Sequence, residues 1–166
     1  MAACTRAVAV VVAVAARVAL GVLWLREGLV KYHAGFGAAD IRLVVDSTAS
    51  NPRVPSLYQA FTEHVLANVS TLFGVAVPLL ETALGIALVL GLLTRAAVCV
   101  SIGTLMTYWL ADQLVGQYPV MVSLSVVVLL APVAATRWSV TRLLAHALRD
   151  RPRCRAVTEG QAALWL

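Results

Sequence analysis

Four long apolar runs constrain what this chain can fold into more than any other feature. A stretch of about 20 apolar residues crosses the hydrocarbon core of a bilayer as a helix, and runs of about that length stand at about 7–30, 69–93, 95–114 and 118–135. Each is continuous and rich in Leu, Ala and Val. A backbone in lipid must satisfy its own N–H and C=O groups, so such runs form helices. The hydrophobic fraction of 61% leaves too few polar residues to coat a soluble domain of 166 residues, since soluble domains carry about 45–50%. The expected fold is all-α: a polytopic membrane protein whose residues 1–135 form a four-helix transmembrane bundle. An outer loop at 31–68 interrupts it, and 136–166 form a basic amphipathic cytoplasmic tail.

Arginine placement orients the spans, because cytoplasmic loops carry an excess of Lys and Arg. Arg6, Arg95 and the tail residues Arg137, Arg142, Arg149, Arg151, Arg153 and Arg155 fall on one side, and the turn around Asp112 and Gln117 opposite them has no basic residue. In the long loop, Lys31, Arg42 and Arg53 are offset by Asp40, Asp46 and Glu63. Both termini are therefore expected in the cytoplasm. The first segment is alanine-rich and weakly basic like a secretory signal, but Arg17 would interrupt its apolar core, so a retained anchor is expected. Cys4, Cys99 and Cys154 form no Cys-x-x-Cys pair, and His33, His64 and His146 show no ligand spacing, so neither a disulfide framework nor a metal site is expected. His33 and His64 both fall near the outer mouth, but no helix pair presents them face to face for haem.

The second apolar run is broken only by Glu81. A charge at the bilayer centre costs about 2.5–3.5 kcal/mol on insertion scales, so such residues face a helix bundle and pair. At about 100° per residue, Arg17, Gly21, Trp24, Gly28 and Lys31 share one stripe of the first span. Gly74, Glu81, Gly85 and Leu88 share one stripe of the second. Small residues at this spacing let helices approach closely. Counted from Ala7 and Leu93 at about 1.5 Å per residue, Arg17 lies about 15 Å and Glu81 about 18 Å above the inner ends of their spans. The two are expected to face one another, either as an ion pair locking the helices or with Glu81 as a proton or ligand site.

Glu27 and Lys31 are four residues apart in the order that favours a helical ion pair. With His33 they are candidates for an outer-mouth site, beneath one or two short loop helices capping a cavity lined by Lys31, Tyr32, His33 and Glu63. Tyr108, Trp109 and Tyr118 read as an interfacial aromatic belt, although aromatic groups near a polar site would also suit a quinone headgroup. Residues Trp138 to Arg149 alternate an apolar stripe with arginines, as in a helix resting on anionic lipid; a nucleic-acid role is not expected.

The stretch from Arg17 through Gly21, Glu27 and Gly28 to Lys31 resembles the opening helix of the DoxX family. The stretch Glu81-Thr-Ala-Leu-Gly85, continuing through Gly91 to Thr94-Arg95, resembles that family's second-helix signature with its Thr-Arg turn. Arg26-Glu27 stands where the family often has an aromatic or a histidine. The resemblance implies a multi-pass protein of the bacterial inner membrane, with Arg17, Gly21, Gly28, Lys31, Glu81, Gly85, Gly91 and Arg95 at the motif positions. It further implies an accessory or anchoring subunit of a quinone- or sulfur-linked redox system, with an oxidoreductase partner and quinone as the implied ligand. The alternative is a small proton-coupled transporter using Glu81. The chain itself carries no cofactor motif or redox cysteine pair from which to read an enzyme acting alone.

Overall fold

The computed structural model describes residues 2–149; tail residues 150–166, including Arg151, Arg153, Cys154 and Arg155, lie outside the described residues. The chain begins with the 32-residue helix α1 (Ala2–His33). The outer loop forms α2 (Ala38–Ala49) and α3 (Ser56–Phe61), the latter widening into a π-turn at Thr62–Leu66. Helices α4 (Ser70–Leu90), α5 (Thr94–Leu110) and α6 (Tyr118–Leu130) follow, then α7 (Pro132–Ala135) and α8 (Val140–Arg149). Thr5–His33 and Ser70–Leu90 are long and apolar enough to cross a membrane, whereas α5 has 17 residues and α6 only 13. The last expected run therefore divides in two. Proline disfavours helical geometry in the residue before it, and Ala131, before Pro132, sits at φ −130°.

Helix α1 is central, packing on α4, α6 and α7, while α2 lies against α4. The core joins Ala13, Leu20 and Trp24 of α1 to Leu88, Val98, Leu105, Met121 and Val128. Trp24 is fully buried, and its indole N–H donates to Ser101 Oγ at 2.8 Å, which stands 3.4 Å from Ser125 Oγ. A buried indole needs such a partner, and this one ties α1 to α5 and α6.

The α1–α4 register is set by glycines. A Cβ on Gly21 would stand 2.8 Å from the Val89 nitrogen and 3.0 Å from the Gly85 oxygen, and one on Gly85 would meet Gly21 and Leu25 equally closely. Gly28 is pressed in the same way onto Pro78 and Thr82. The expected small-residue seam is thus a backbone-to-backbone contact at Gly21, Gly28 and Gly85. Gly74 and Gly91 serve elsewhere. Gly74 admits the Gly37–Ala38 backbone of the outer loop. Gly91, at φ 71°, is the left-handed cap that ends α4, with the Leu92 N–H returning to the Ala87 carbonyl at 2.7 Å.

Candidate functional site

This register separates the two charges expected to meet. The fourteen residues from Arg17 to Lys31 are about 21 Å of helix, and it is Lys31 that reaches Glu81. Lys31 Nζ donates to Glu81 Oε1 at 2.7 Å and Tyr108 Oη donates to the same oxygen at 2.6 Å, with the carboxylate fully buried. The expected pairing of Arg17 with Glu81 does not form. Counting from hydropathy boundaries set the inner ends of the two spans level. The glycine contacts instead bring Arg17 alongside the last turn of α4.

Arg17 serves that end. Its Nη1 donates to the Leu88 carbonyl at 3.0 Å and the Val89 carbonyl at 3.5 Å, and its Nη2 donates to the Trp138 carbonyl at 2.8 Å. The last carbonyls of a helix have no partners within it, and a cation there also complements the helix dipole. The motif residue Thr94 is buried at the start of α5 beside this cap, with Arg95 half-buried next to it.

The outer cluster extends beyond Glu81. Lys31 Nζ also lies 3.2 Å from Glu27 Oε2, the expected i,i+4 pair. Glu27 Oε1 accepts from the Gln117 amide at the start of α6, and Arg26 lies 3.5 Å from Gln117 Oε1. The Lys31 ammonium stands 5.7 Å from the Tyr108 ring centroid, within cation–π range, and Tyr118 stacks on Tyr108 at 5.4 Å. Two carboxylates thus share one ammonium. The second Glu81 oxygen, Oε2, is buried with no hydrogen-bond partner among the described residues.

Lys31 and Tyr108 form the polar end of a cavity of about 440 Å³ between the outer-loop helices and α4–α5. Its walls include Ile41 and Val44 from α2, Phe61 just before the π-turn and Leu66 at its end, and Phe73 from α4. Single-turn π-helices often mark functional sites. Tyr58 also lines it, and burial pushes its phenol above the ordinary range, so it stays neutral. The roof is anchored at Asp112, which accepts from Asn51 Nδ2 at 2.9 Å and pairs with Arg53 at 3.1 Å.

Of the expected outer-mouth residues, Glu27 and Lys31 belong to the cluster. His33 does not: its ring is exposed, with Nδ1 2.7 Å from the Leu29 carbonyl. Tyr32 and Glu63 are exposed as well, so of the expected cavity lining only Lys31 remains. Tyr108 and Tyr118, whose residue types suit an aromatic belt or a polar site equally, stand at the site. Trp109, 62% exposed, fits a lipid boundary, but both tyrosines turn inward to the carboxylates. Gln117 gave only the faint signal of an amide beside a short turn. Among the described residues, no group of three or more His, Cys, Asp or Glu side chains could hold a metal ion.

Two helices long and apolar enough to cross a membrane, α1 and α4, bring a lysine and a buried carboxylate together beside a tyrosine of α5, the arrangement of a helical membrane protein with an internal polar site. A family model described as DoxX matches residues 12–113, which include both motif stretches and the whole α1–α4 seam. The chain belongs to the DoxX family. No curated protein and no solved structure matches it.

Proposed function

We propose that this is a four-span inner-membrane protein, with α5 and α6–α7 completing the crossings and both termini cytoplasmic. Its outer cavity holds the headgroup of a lipophilic quinone for a partner oxidoreductase. The charge distribution supports the orientation: Arg6, Arg95, Arg137 and Arg142 lie toward one end with no described acidic residue among them, whereas Arg26, Lys31, Arg42 and Arg53 at the other are offset by Glu27, Asp40, Asp46, Glu63 and Asp112.

The observation that carries the ligand reading is an apolar cavity ending on a lysine and a tyrosine. Ligand pockets combine apolar walls with a few placed polar groups. A lysine ammonium has three N–H donors; two of those on Lys31 face Glu27 and Glu81, leaving one for a carbonyl oxygen. Gln113 adds an amide to the lining. Phe61 and Phe73 add aromatic rings to the lining. A bound quinone would supply two-electron redox chemistry to the partner; this chain's residues would bind and orient it.

Gly103 provides the test. It lines the cavity, a Cβ built on it meets nothing within 4 Å, and it forms none of the bonds of the ion cluster, so Gly103→Leu adds bulk to the cavity wall without removing a cluster residue. A photoreactive short-chain quinone should label α2 or α5 peptides of the wild-type protein, and Gly103→Leu should reduce labelling about tenfold with unchanged helicity. Equal labelling of both proteins would reject the cavity as the site. Gentle cross-linking should recover an oxidoreductase with the wild-type chain.

A second reading has its own support in the unpartnered Glu81 Oε2, the arrangement of a carboxylate that takes up and releases a proton in a coupled transporter. Proton flux into liposomes that is lost in Glu81→Gln but kept in Gly103→Leu would favour it over quinone binding.

A further inference from the structure

A second, larger groove of about 810 Å³ lies at the opposite end of the molecule, between the last turn of α4 and α8. Val89 and Leu90 form one wall, and Arg137, Trp138, Arg142 and His146 line it from the other side. We infer that this groove binds one anionic glycerophospholipid, its phosphate between Arg137 and Arg142 and its acyl chains along α4.

Three observations favour a lipid over other anions. Helix α4 has 21 residues, or about 31 Å, so its C-terminal turn falls where a hydrocarbon core of about 30 Å gives way to headgroups. The groove is mixed in chemistry, with arginines beside aliphatic walls and with Trp138 and Leu143 exposed at 64% and 71%. A free phosphate would need the cations only. Charge is also complementary. No described acidic residue lies at this end, and a neighbouring groove that shares Arg137 and Trp138 adds Arg6.

The groove is built rather than incidental. Arg17 holds the Trp138 carbonyl, Thr141 Oγ1 donates to the Gly91 carbonyl at 2.9 Å, and the Leu93 N–H donates to Thr141 Oγ1 at 3.3 Å. Ser139, which is buried, accepts from the Arg142 N–H at 3.2 Å. These bonds fix the start of α8 against the α4 cap. The inference needs only that this end of α4 meets a headgroup layer, whichever role the outer cavity has.

Native mass spectrometry of the full-length chain in mild detergent tests it, with phosphatidylglycerol and phosphatidylcholine as probes. The wild-type protein should retain one phosphatidylglycerol at least about tenfold better than phosphatidylcholine, the scale set by two arginines near a lipid surface. Arg137→Gln/Arg142→Gln should abolish that preference, as should Leu143→Glu, which places a carboxylate at the groove rim should the double variant fold poorly. Arg151→Gln/Arg153→Gln/Arg155→Gln should keep it. Equal retention of the two lipids overturns the proposal, as does loss of preference in the tail variant alone. Displacement by inorganic phosphate at concentrations that match the lipid would also overturn it, because the site would then read phosphate and not lipid.

Discussion

The α1–α4 seam carries a buried charge toward each end, and the two are handled in different ways. At one end the two terminal nitrogens of Arg17 donate to backbone carbonyls, which closes the last turn of α4 and anchors the segment leading into α8. At the other, Glu81 shares Lys31 with Glu27, takes a tyrosine hydroxyl on one oxygen and leaves the other without a partner among the described residues. The first arrangement turns a charge into a structural fastening. The second keeps a carboxylate, an ammonium and a phenol together beside a cavity. A buried charge in an apolar helix therefore says that it has partners, while the kind of partner separates a cap from a site.

The largest expected effect comes from removing the shared cation. Lys31→Met leaves Glu81 buried without its counter-charge, which costs about 3–5 kcal/mol and should lower the unfolding midpoint in detergent followed by circular dichroism. The exchange Lys31→Glu/Glu81→Lys should recover part of that loss, whereas Arg17→Glu/Glu81→Arg should be worse than either single change. Full recovery by the latter exchange would break the comparison, because it would mean that Arg17 and Glu81 are partners.

Next in size is Arg17→Ala. A hydrogen bond to a charged group contributes about 1.5–3 kcal/mol, and because truncation also removes the cost of burying the guanidinium, the net loss is expected at the scale of one such bond, about 2–3 kcal/mol. Amide exchange should rise at Leu92 and Leu93, beside the cap, and stay unchanged around Lys31. Faster exchange at the outer cluster instead would show that the two ends act as one unit.

Tyr108→Phe sharpens the picture of the outer end. It deletes one bond to Glu81 while keeping the ring near Lys31, so a loss of about 1–2 kcal/mol is expected in the same unfolding measurement. The smallest effect is expected at the roof. Arg53 is mostly exposed, and exposed ion pairs contribute about 0.2–1 kcal/mol. Arg53→Ala should barely move the midpoint but should raise proteolytic nicking between α2 and α3; unchanged nicking would leave Asn51 as the latch.

Much of the seam was legible in the residues. Gly21, Gly28 and Gly85 fall on one face of each helix, and close approach of two backbones leaves no room for a Cβ, so spacing alone identified the contact. The Glu27–Lys31 pair was legible for a similar reason: residues four apart in one helix meet whatever the rest of the chain does. Gly74 and Gly91 share the glycine letter for other reasons, a loop crossing and a left-handed cap. Tyr108 looked like a boundary aromatic because a sequence shows its depth and not which way its ring turns. The long loop was legible as short helices over a cavity, but the cavity floor was not, since Tyr32, His33 and Glu63 point away from it.

By itself the sequence determined the helical class, the glycine seam and the presence of charges that need partners. Those properties follow from hydropathy, helical periodicity and the cost of burying a charge, all of which act locally. Only the tertiary structure decided which partners they have. The register between α1 and α4 is set by a few close glycine contacts, and hydropathy boundaries are too soft to give it. That register moved Arg17 to the α4 cap and brought Lys31, fifty residues away in the chain, onto Glu81.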